Sequence, residues 1–109
     1  MKYLLFFLFF FFYILAAFSQ NALAVKVDST KELMNVEVSC GQCKFGLSGK
    51  GCALAIRIKG QAFFVDGTSI DEHGDAHATD GFCNAIRNAQ VQGEVINGRF
   101  KVTYFKLLE

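Results

Sequence analysis

The sequence has no proline, no tryptophan and almost no net charge, and it lacks the motifs of the common hydrolases. Its 11 basic and 10 acidic residues give a formal net charge of +1. Proteins that bind nucleic acid or anionic membranes by charge need a basic excess, so this balance argues against both partners. Neither Gly-x-Ser-x-Gly nor His-Glu-x-x-His occurs, and no nucleophile with a base and an orienting group is identifiable. We therefore predict a binding domain rather than an enzyme.

Residues 1–19 differ from the rest of the chain. After Lys2, residues 3–18 form an uninterrupted apolar run of 16 residues, shorter than the roughly 20 needed to cross hydrocarbon. Small residues at 17 and 19 suit a signal peptidase, and residues 22–24 offer a second site. We expect a signal peptide over 1–19 and an exported protein, periplasmic or secreted, with no stable membrane association after cleavage. An uncleaved anchor is the alternative.

The rest of the chain is short enough for one domain. Residues 20–33 are mixed and polar and predict a flexible leader, and residues 34–109 predict a single small β-barrel-like domain. Alternating apolar residues and turn residues predict five strands, over 34–38, 53–58, 61–65, 91–96 and 99–107. Lys59-Gly60 and Asn97-Gly98 are suited to the hairpin turns.

A helix is predicted between the third and fourth strands. Thr79 or Asp80 can cap it, and its apolar residues recur at helical spacing, at Phe82, Ala85, Ile86 and Ala89. Three strands, one helix and two strands is the order of the OB-fold, a five-stranded Greek-key barrel. We therefore predict a β-rich, OB-fold-like barrel, with a small α+β open sheet as the alternative. The loop over 66–80 is long enough to suggest a functional role.

Every cysteine and histidine of the chain lies within one span of 44 residues. They are Cys40, Cys43, Cys52, His73, His77 and Cys83. Cysteine thiolates and imidazoles are the usual ligands of zinc, so all six are candidate ligands. A closed tetrahedral zinc site needs four, and the sequence does not say which four.

Cys40-x-x-Cys43 followed by Gly46 is the most specific local pattern. Two residues between cysteines let one turn point both sulfurs at a single centre, and a nearby glycine lets the backbone turn its amides toward them. A second CxxC is missing, so the other ligands must come from the remaining cysteines and histidines. Asp71 and Asp75 are suited to orient a ligating imidazole.

Disulfides are the strong alternative. An even number of cysteines in a small exported domain is by default a disulfide framework, and four cysteines allow three pairings. A bridge from the first loop to Cys83 would stabilise the fold by roughly 3–4 kcal/mol.

The chain also resembles a known family. The residues that carry the resemblance are Cys40 and Cys43, Gly51-Cys52, Asp66-Gly67, the run His73-Gly74-Asp75-Ala76-His77, Gly81-Phe82-Cys83, Gly93-Glu94-Val95 and Gly98-Arg99-Phe100. This pattern is similar to that of small exported bacterial domains of unknown function, over about 36–107. The resemblance implies a bacterial periplasmic or secreted setting and supplies no activity.

The sequence as a whole predicts an exported domain that binds a transition metal through its cysteines and histidines. Zinc is the expected ion, and copper(I) is the alternative for a thiolate-rich site. A metal-free, disulfide-stapled module that binds a protein partner is the competing interpretation.

Overall fold

The structure, a computed structural model, describes residues 23–108. The predicted signal peptide over 1–19 lies outside the described residues. Within 23–108, no helix is long and apolar enough to span a membrane.

Five strands form a closed barrel. They are β1 (Met34–Cys40), β2 (Leu54–Ile58), β3 (Gln61–Asp66), β4 (Arg87–Ile96) and β5 (Arg99–Leu107). The order around the barrel is β1-β2-β3-β5-β4, and β4 pairs with β1 to close it. All neighbouring pairs are antiparallel except β3 and β5, which run parallel. The predicted five-stranded barrel is confirmed, and closure excludes the open sheet.

The alternation of β1 explains how the first cysteine enters the core. Val36, Val38 and Cys40 are all buried, at 7%, 0% and 0% exposure. Successive strand residues point to opposite faces, so residues two apart share a face. Cys40 is the last member of this inward row and lies at the end of the barrel. The chain then turns directly into α1 (Gly41–Lys44).

The predicted helix after Thr79 does not form. The connection between β3 and β4 holds a single 3-10 turn, Ile70–His73, then further turns, and β4 begins at Arg87. Phe82 and Ala89 are both buried, as the helical spacing suggested, but for separate reasons. Phe82 packs in the core from a turn, whereas Ala89 belongs to β4. Within residues 23–108 the α-helix is the four-residue α1, between β1 and β2.

A glycine allows β4 and β5 to pair along their whole length. The register between the two strands shifts between Gln92 and Gly93. Gly93 has φ 156°, and a Cβ there would overlap the carbonyl oxygen of Lys101. Only glycine fits this close approach of two backbones.

The segment before β1 is held to the barrel by one buried side chain. The Gln92 amide is 0% exposed. Its Oε1 accepts from the Asp28 N–H at 2.8 Å, and its Nε2 donates to the carbonyl oxygens of Asp28 and Lys31 at 2.7 and 3.0 Å. Nearer the N-terminus, the Ala24 N–H donates a hydrogen bond to the Thr103 carbonyl oxygen at 2.8 Å. The flexibility predicted for residues 20–33 stays a prediction. For this segment to leave the barrel, these hydrogen bonds would have to break.

Gln92→Ala is expected to release this segment. It removes three hydrogen bonds at once and should cost about 1–3 kcal/mol, because the lost bonds are partly replaced by water. Limited trypsin digestion should then cut faster after Lys26 and Lys31. Gln90→Ala, two residues earlier on the same strand, is the matched control. Equal cleavage rates in the two variants would contradict the anchoring role of Gln92.

Candidate metal centre

The four cysteines come together at one end of the barrel. Cys40 ends β1, Cys43 lies in α1, Cys52 precedes β2 by two residues, and Cys83 lies in a turn before β4. Their four Sγ atoms all lie within 4.8 Å of one another. Three separate chain segments therefore converge on one sulfur cluster.

The turn between Cys40 and Cys43 directs an amide at a sulfur. Cys40 caps α1, and its Sγ accepts from the Cys43 N–H at 3.4 Å. The turn closes tightly, since the N–H groups of Phe45 and Leu47 both donate to the Gly41 carbonyl, at 3.1 and 3.0 Å. Gly46 follows with φ 70°. An N–H···S bond favours the thiolate, so this turn has the polarity expected of a metal-binding knuckle.

Gly41 permits α1 to lie directly against the barrel. It is buried, and a Cβ at this position would lie 2.7 Å from the Phe64 ring and 3.1 Å from the Ala55 Cβ. Its N–H donates to the Ala53 carbonyl at 2.8 Å. Gln42 makes a second link, because its Oε1 accepts from the Ala53 N–H at 2.9 Å. These two bonds fix the distance between the knuckle and Cys52, the residue before Ala53.

Cys83 is positioned by the backbone around Phe82. The Phe82 carbonyl accepts from the Cys40 N–H at 3.0 Å and lies 2.6 Å from the Ser39 hydroxyl. The same hydroxyl lies 2.8 Å from the Ala85 carbonyl. The Cys83 N–H in turn donates to the Ala76 carbonyl at 3.0 Å. The end of β1 therefore holds both flanks of Cys83.

The sulfurs are not equivalent in their bonding. Cys40 and Cys52 form a disulfide, with their Cα atoms 5.5 Å apart, while Cys43 and Cys83 are free. The Sγ atoms of Cys52 and Cys83 are 2.9 Å apart. Burial raises the pKa of the Cys83 thiol, and the neighbouring Cys43 sulfur and the charge of Asp71 raise it further.

The two histidines lie outside the sulfur cluster. The His73 ring lies between Phe105 and Phe82, with centroid distances of 4.3 and 6.3 Å, and its Nε2 is 2.8 Å from the Thr68 hydroxyl. The His77 side chain is 86% exposed. Within the described residues, the candidate metal-binding group contains the four cysteines alone. Of the six candidate ligands predicted from the sequence, the structure brings the four cysteines together and places both imidazoles outside the cluster.

His73 and the cysteines nevertheless occupy the same end of the domain. The Phe82 ring contacts His73 edge-on, and the Phe82 carbonyl bonds to Cys40. Phe82 therefore contacts both the 66–80 loop and the end of β1 that carries the first cysteine. The Asp75 carboxylate accepts a hydrogen bond from the His77 backbone N–H at 2.9 Å. This bond closes a local turn and does not orient an imidazole ring.

A model of a family of unknown function (DUF6370) matches residues 34–108. The chain belongs to this family. The matched segment begins with the first residue of β1 and ends one residue after β5, so it contains the whole barrel and all four cysteines. Membership in a family of unknown function, inferred above from resemblance, is confirmed; export stays a prediction. Neither a curated protein nor a solved structure matches this chain.

Sequence reasoning missed the residues that position the sulfurs. Ser39, Gln42 and Phe82 hold the three cysteine-bearing segments together, and none was singled out as part of the site. None of the three carries a local signal in the sequence, because the burial of Ser39 and the bonding partners of Gln42 and Phe82 arise only in the folded chain.

His73 is expected to titrate at a lower pH than a free imidazole. Burial lowers its pKa, and the adjacent Glu72 opposes this only in part. Because a histidine with a depressed folded pKa is harder to protonate in the folded state, its contribution to stability is fully present above the ordinary pKa of about 6.5. This contribution is lost as the pH falls below that value, through the lower pKa of the folded state. In the His77→Gln variant a single imidazole remains, so its proton NMR titration is assigned directly. A midpoint at or above the ordinary value would contradict the buried position of His73.

Proposed function

We propose that this domain binds one zinc ion through Cys40, Cys43, Cys52 and Cys83 outside the cytoplasm. The observation that carries the proposal is the convergence of four sulfurs from three chain segments within 4.8 Å. The backbone also links the first cysteine of the cluster to the last. The Cys40 N–H donates a hydrogen bond to the carbonyl oxygen of Phe82, the residue before Cys83.

The dimensions of the cluster suit a tetrahedral ion. A zinc–sulfur bond of about 2.3 Å places tetrahedral sulfurs about 3.8 Å apart. No separation in the cluster exceeds 4.8 Å, and the Sγ atoms of Cys52 and Cys83 are 2.9 Å apart. Once the bond between Cys40 and Cys52 is reduced, side-chain movements of about 1–2 Å would bring the sulfurs to the tetrahedral spacing.

The chemistry of the ligands selects the class of metal and the role. Thiolates are soft ligands, which favour zinc and copper(I) over magnesium or calcium. Four protein ligands fill a tetrahedral ion and leave no position for an activated water. A structural or storage role therefore fits the site better than a catalytic one. Copper(I) remains the second candidate ion on the same ligands.

The location of the cluster explains what the ion would do for the fold. The cluster joins the connection before β4 to the end of β1 and the segment before β2, where Cys40 lies opposite Leu54 in the sheet. In a domain of this size the hydrophobic core is small, so a bound ion contributes directly to folding. Ligands must be deprotonated, so binding should weaken as the pH falls.

A disulfide-stapled module that binds a protein partner is the second candidate. The specific observation in its favour is the bond between Cys40 and Cys52. In the zinc form all four sulfurs are thiolates, and in the stapled form none needs a metal. The apolar run at residues 1–19 supports export, and an oxidising compartment would favour the stapled form.

Native and denaturing intact mass, with elemental analysis of the same sample, distinguishes the two. Protein purified with reductant under anaerobic conditions should contain one zinc per chain and four free thiols. Adding a chelator should lower the melting temperature. Two disulfides, no metal even after incubation with zinc, and a melting curve indifferent to chelator would overturn the zinc proposal. Equal loading with copper(I), tested by competition, would identify copper instead.

A further inference from the structure

The four sulfurs divide into two neighbouring pairs. Cys40 and Cys52 are bonded to each other, and the two free thiols, Cys43 and Cys83, have their sulfurs within 4.8 Å of each other. The bonded pair bridges β1 and β2 close to where Cys40 lies opposite Leu54 in the sheet register. The same four sulfurs can therefore either surround a single ion or form two disulfides, and neither arrangement requires the barrel to rearrange.

The two pairs share a second property, which is unequal access to solvent. Cys43 is exposed and Cys83 is partly buried. In the other pair, Cys52 is partly buried and Cys40 is 0% exposed. A dissolved oxidant therefore reaches one sulfur of each pair first, and the more buried partner lies within reach to complete the bond.

We propose that the cluster is a redox centre that exchanges a bound zinc ion for two disulfides, Cys40–Cys52 and Cys43–Cys83, when it reacts with a small disulfide. The metal-release half of this inference rests on the zinc-binding function proposed above. The disulfide half does not, because the pairing of the sulfurs can be measured without metal.

The reaction proceeds by two thiol–disulfide exchanges at each pair. With oxidised glutathione as oxidant, the Cys43 thiolate attacks one glutathione sulfur, the glutathione S–S bond breaks, and one glutathione thiolate leaves. The Cys83 thiolate then attacks the Cys43 sulfur and expels the second glutathione thiolate. Cys52 and Cys40 repeat these steps. Two molecules of oxidised glutathione accept four electrons, four glutathione thiolates are produced, and Zn²⁺ leaves because no thiolate remains to bind it.

The proposed pairing differs from the one that spacing alone favours. In CxxC sequences the two nearby cysteines usually pair with each other. Here Cys40 is the cap of α1, and its sulfur accepts the Cys43 N–H while bonding to Cys52. Cys43 and Cys83 are then the two thiols left free, and their sulfurs lie within 4.8 Å of each other.

Tryptic mapping after oxidation distinguishes these pairings. Lys44 and Arg57 separate the cysteines into three peptides, with Cys40 and Cys43 on the first. Zinc-loaded, reduced protein is treated anaerobically with oxidised glutathione in the presence of a chromogenic zinc chelator. We expect one zinc released per chain, loss of four thiols, and a product in which all three peptides stay joined. A first peptide with an internal disulfide, beside a dimer of the other two, would overturn the proposed pairing.

A trapping variant provides an independent measurement. In Cys83→Ser the resolving sulfur of the exposed pair is missing, so glutathione should remain attached to Cys43 while Cys40 and Cys52 still bond. Ser48→Ala, in the same exposed connection, is the control and should oxidise as the parent does. Glutathione on Cys52, or none at all, would overturn the proposed order of attack. This experiment works on metal-free protein.

Failure of the zinc function and failure of the redox inference give different results. If the reduced protein binds no zinc, the zinc proposal and the coupled release fail together, while the peptide map still tests whether Cys40 and Cys43 pair with each other and the trapping variant tests which sulfur resolves Cys43. If zinc binds but oxidised glutathione leaves both metal and thiols in place, the redox inference is overturned and the zinc function stands.

Discussion

Cys43→Ser is expected to remove the zinc ion and to lower the melting temperature together. The variant loses one of four thiolates, which should weaken binding by more than about 100-fold, since even residues that only orient a ligand account for 10- to 100-fold. An ion present at 100 times its dissociation constant stabilises the fold by about 2.7 kcal/mol. In a domain of this size, the loss of that amount corresponds to a decrease of roughly 10–20 °C.

The position of Cys43 makes this experiment clean. Cys43 is exposed, so serine in its place opens no cavity, whereas Cys40 is 0% exposed and its replacement would also disturb the core. Elemental analysis and calorimetry measure the two effects on one sample. Ser48→Ala, exposed in the same loop, should change neither. A Cys43→Ser protein that keeps a full equivalent of zinc would refute the four-sulfur site.

The histidine variants test the ligand set from the other side. His73→Ala and His77→Ala should retain zinc, because neither imidazole lies in the sulfur cluster. His73→Ala should destabilise the fold more than His77→Ala, since His73 packs against Phe105 and His77 is exposed. Loss of zinc in either variant would restore the mixed cysteine and histidine site expected from the sequence.

Phe82→Ala is expected to destabilise the domain by about 3–5 kcal/mol. Phe82 is 2% exposed and is among the largest fully buried side chains. Alanine keeps the backbone carbonyl that bonds to Cys40, so the loss comes from the cavity and from the contact with His73. Small domains have a total stability of about 5–15 kcal/mol, so this one change removes a large part of it.

Urea unfolding of the metal-free, reduced protein measures this effect without interference from zinc. Phe45→Ala is the matched control, because its ring is half-buried and lies 4.8 Å from the Arg57 guanidinium at the surface of the barrel rather than in the core. We expect a cost of about 1 kcal/mol or less for that variant. Equal costs for the two variants would show that Phe82 does not contribute to the core as described.

The strands were predictable because their signals are local. The predicted fifth strand matches β5, and three others differ from the observed bounds by one or two residues. The fourth was predicted from 91, but β4 begins at Arg87, and the residues between were assigned to a helix. The apolar residues at 82 and 89 satisfied a helical period by coincidence. Their burial depends on tertiary contacts that no window of sequence contains.

The residue types of the site could be predicted from the sequence, but which of the candidate residues come together could be predicted only in part. Six residues of the right chemistry in one short span indicated where the cluster lies. Which of them meet depends on the path of the connection between β3 and β4. That path is fixed by two hydrogen bonds, from the Cys83 N–H to the Ala76 carbonyl and from the Ser39 hydroxyl to the Phe82 carbonyl. It places Cys83 in the cluster and leaves His77 in solvent. Such bonds are satisfied only in the folded chain, so spacing alone could not exclude the histidines.

The spacing of the cysteines along the chain has a consequence for the order in which the molecule assembles. Cys40 and Cys52 are only 12 residues apart with Cys43 between them, whereas Cys83 lies 31 residues beyond Cys52. Short loops close at the smallest entropic cost, so three sulfurs can gather around an ion before any long-range strand pairing exists. The fourth arrives only when the chain has returned to pair β4 with β1. In the proposed zinc form, completion of the coordination shell and closure of the barrel are one event, so the speed of maturation is expected to depend on the concentration of free zinc around the newly made chain.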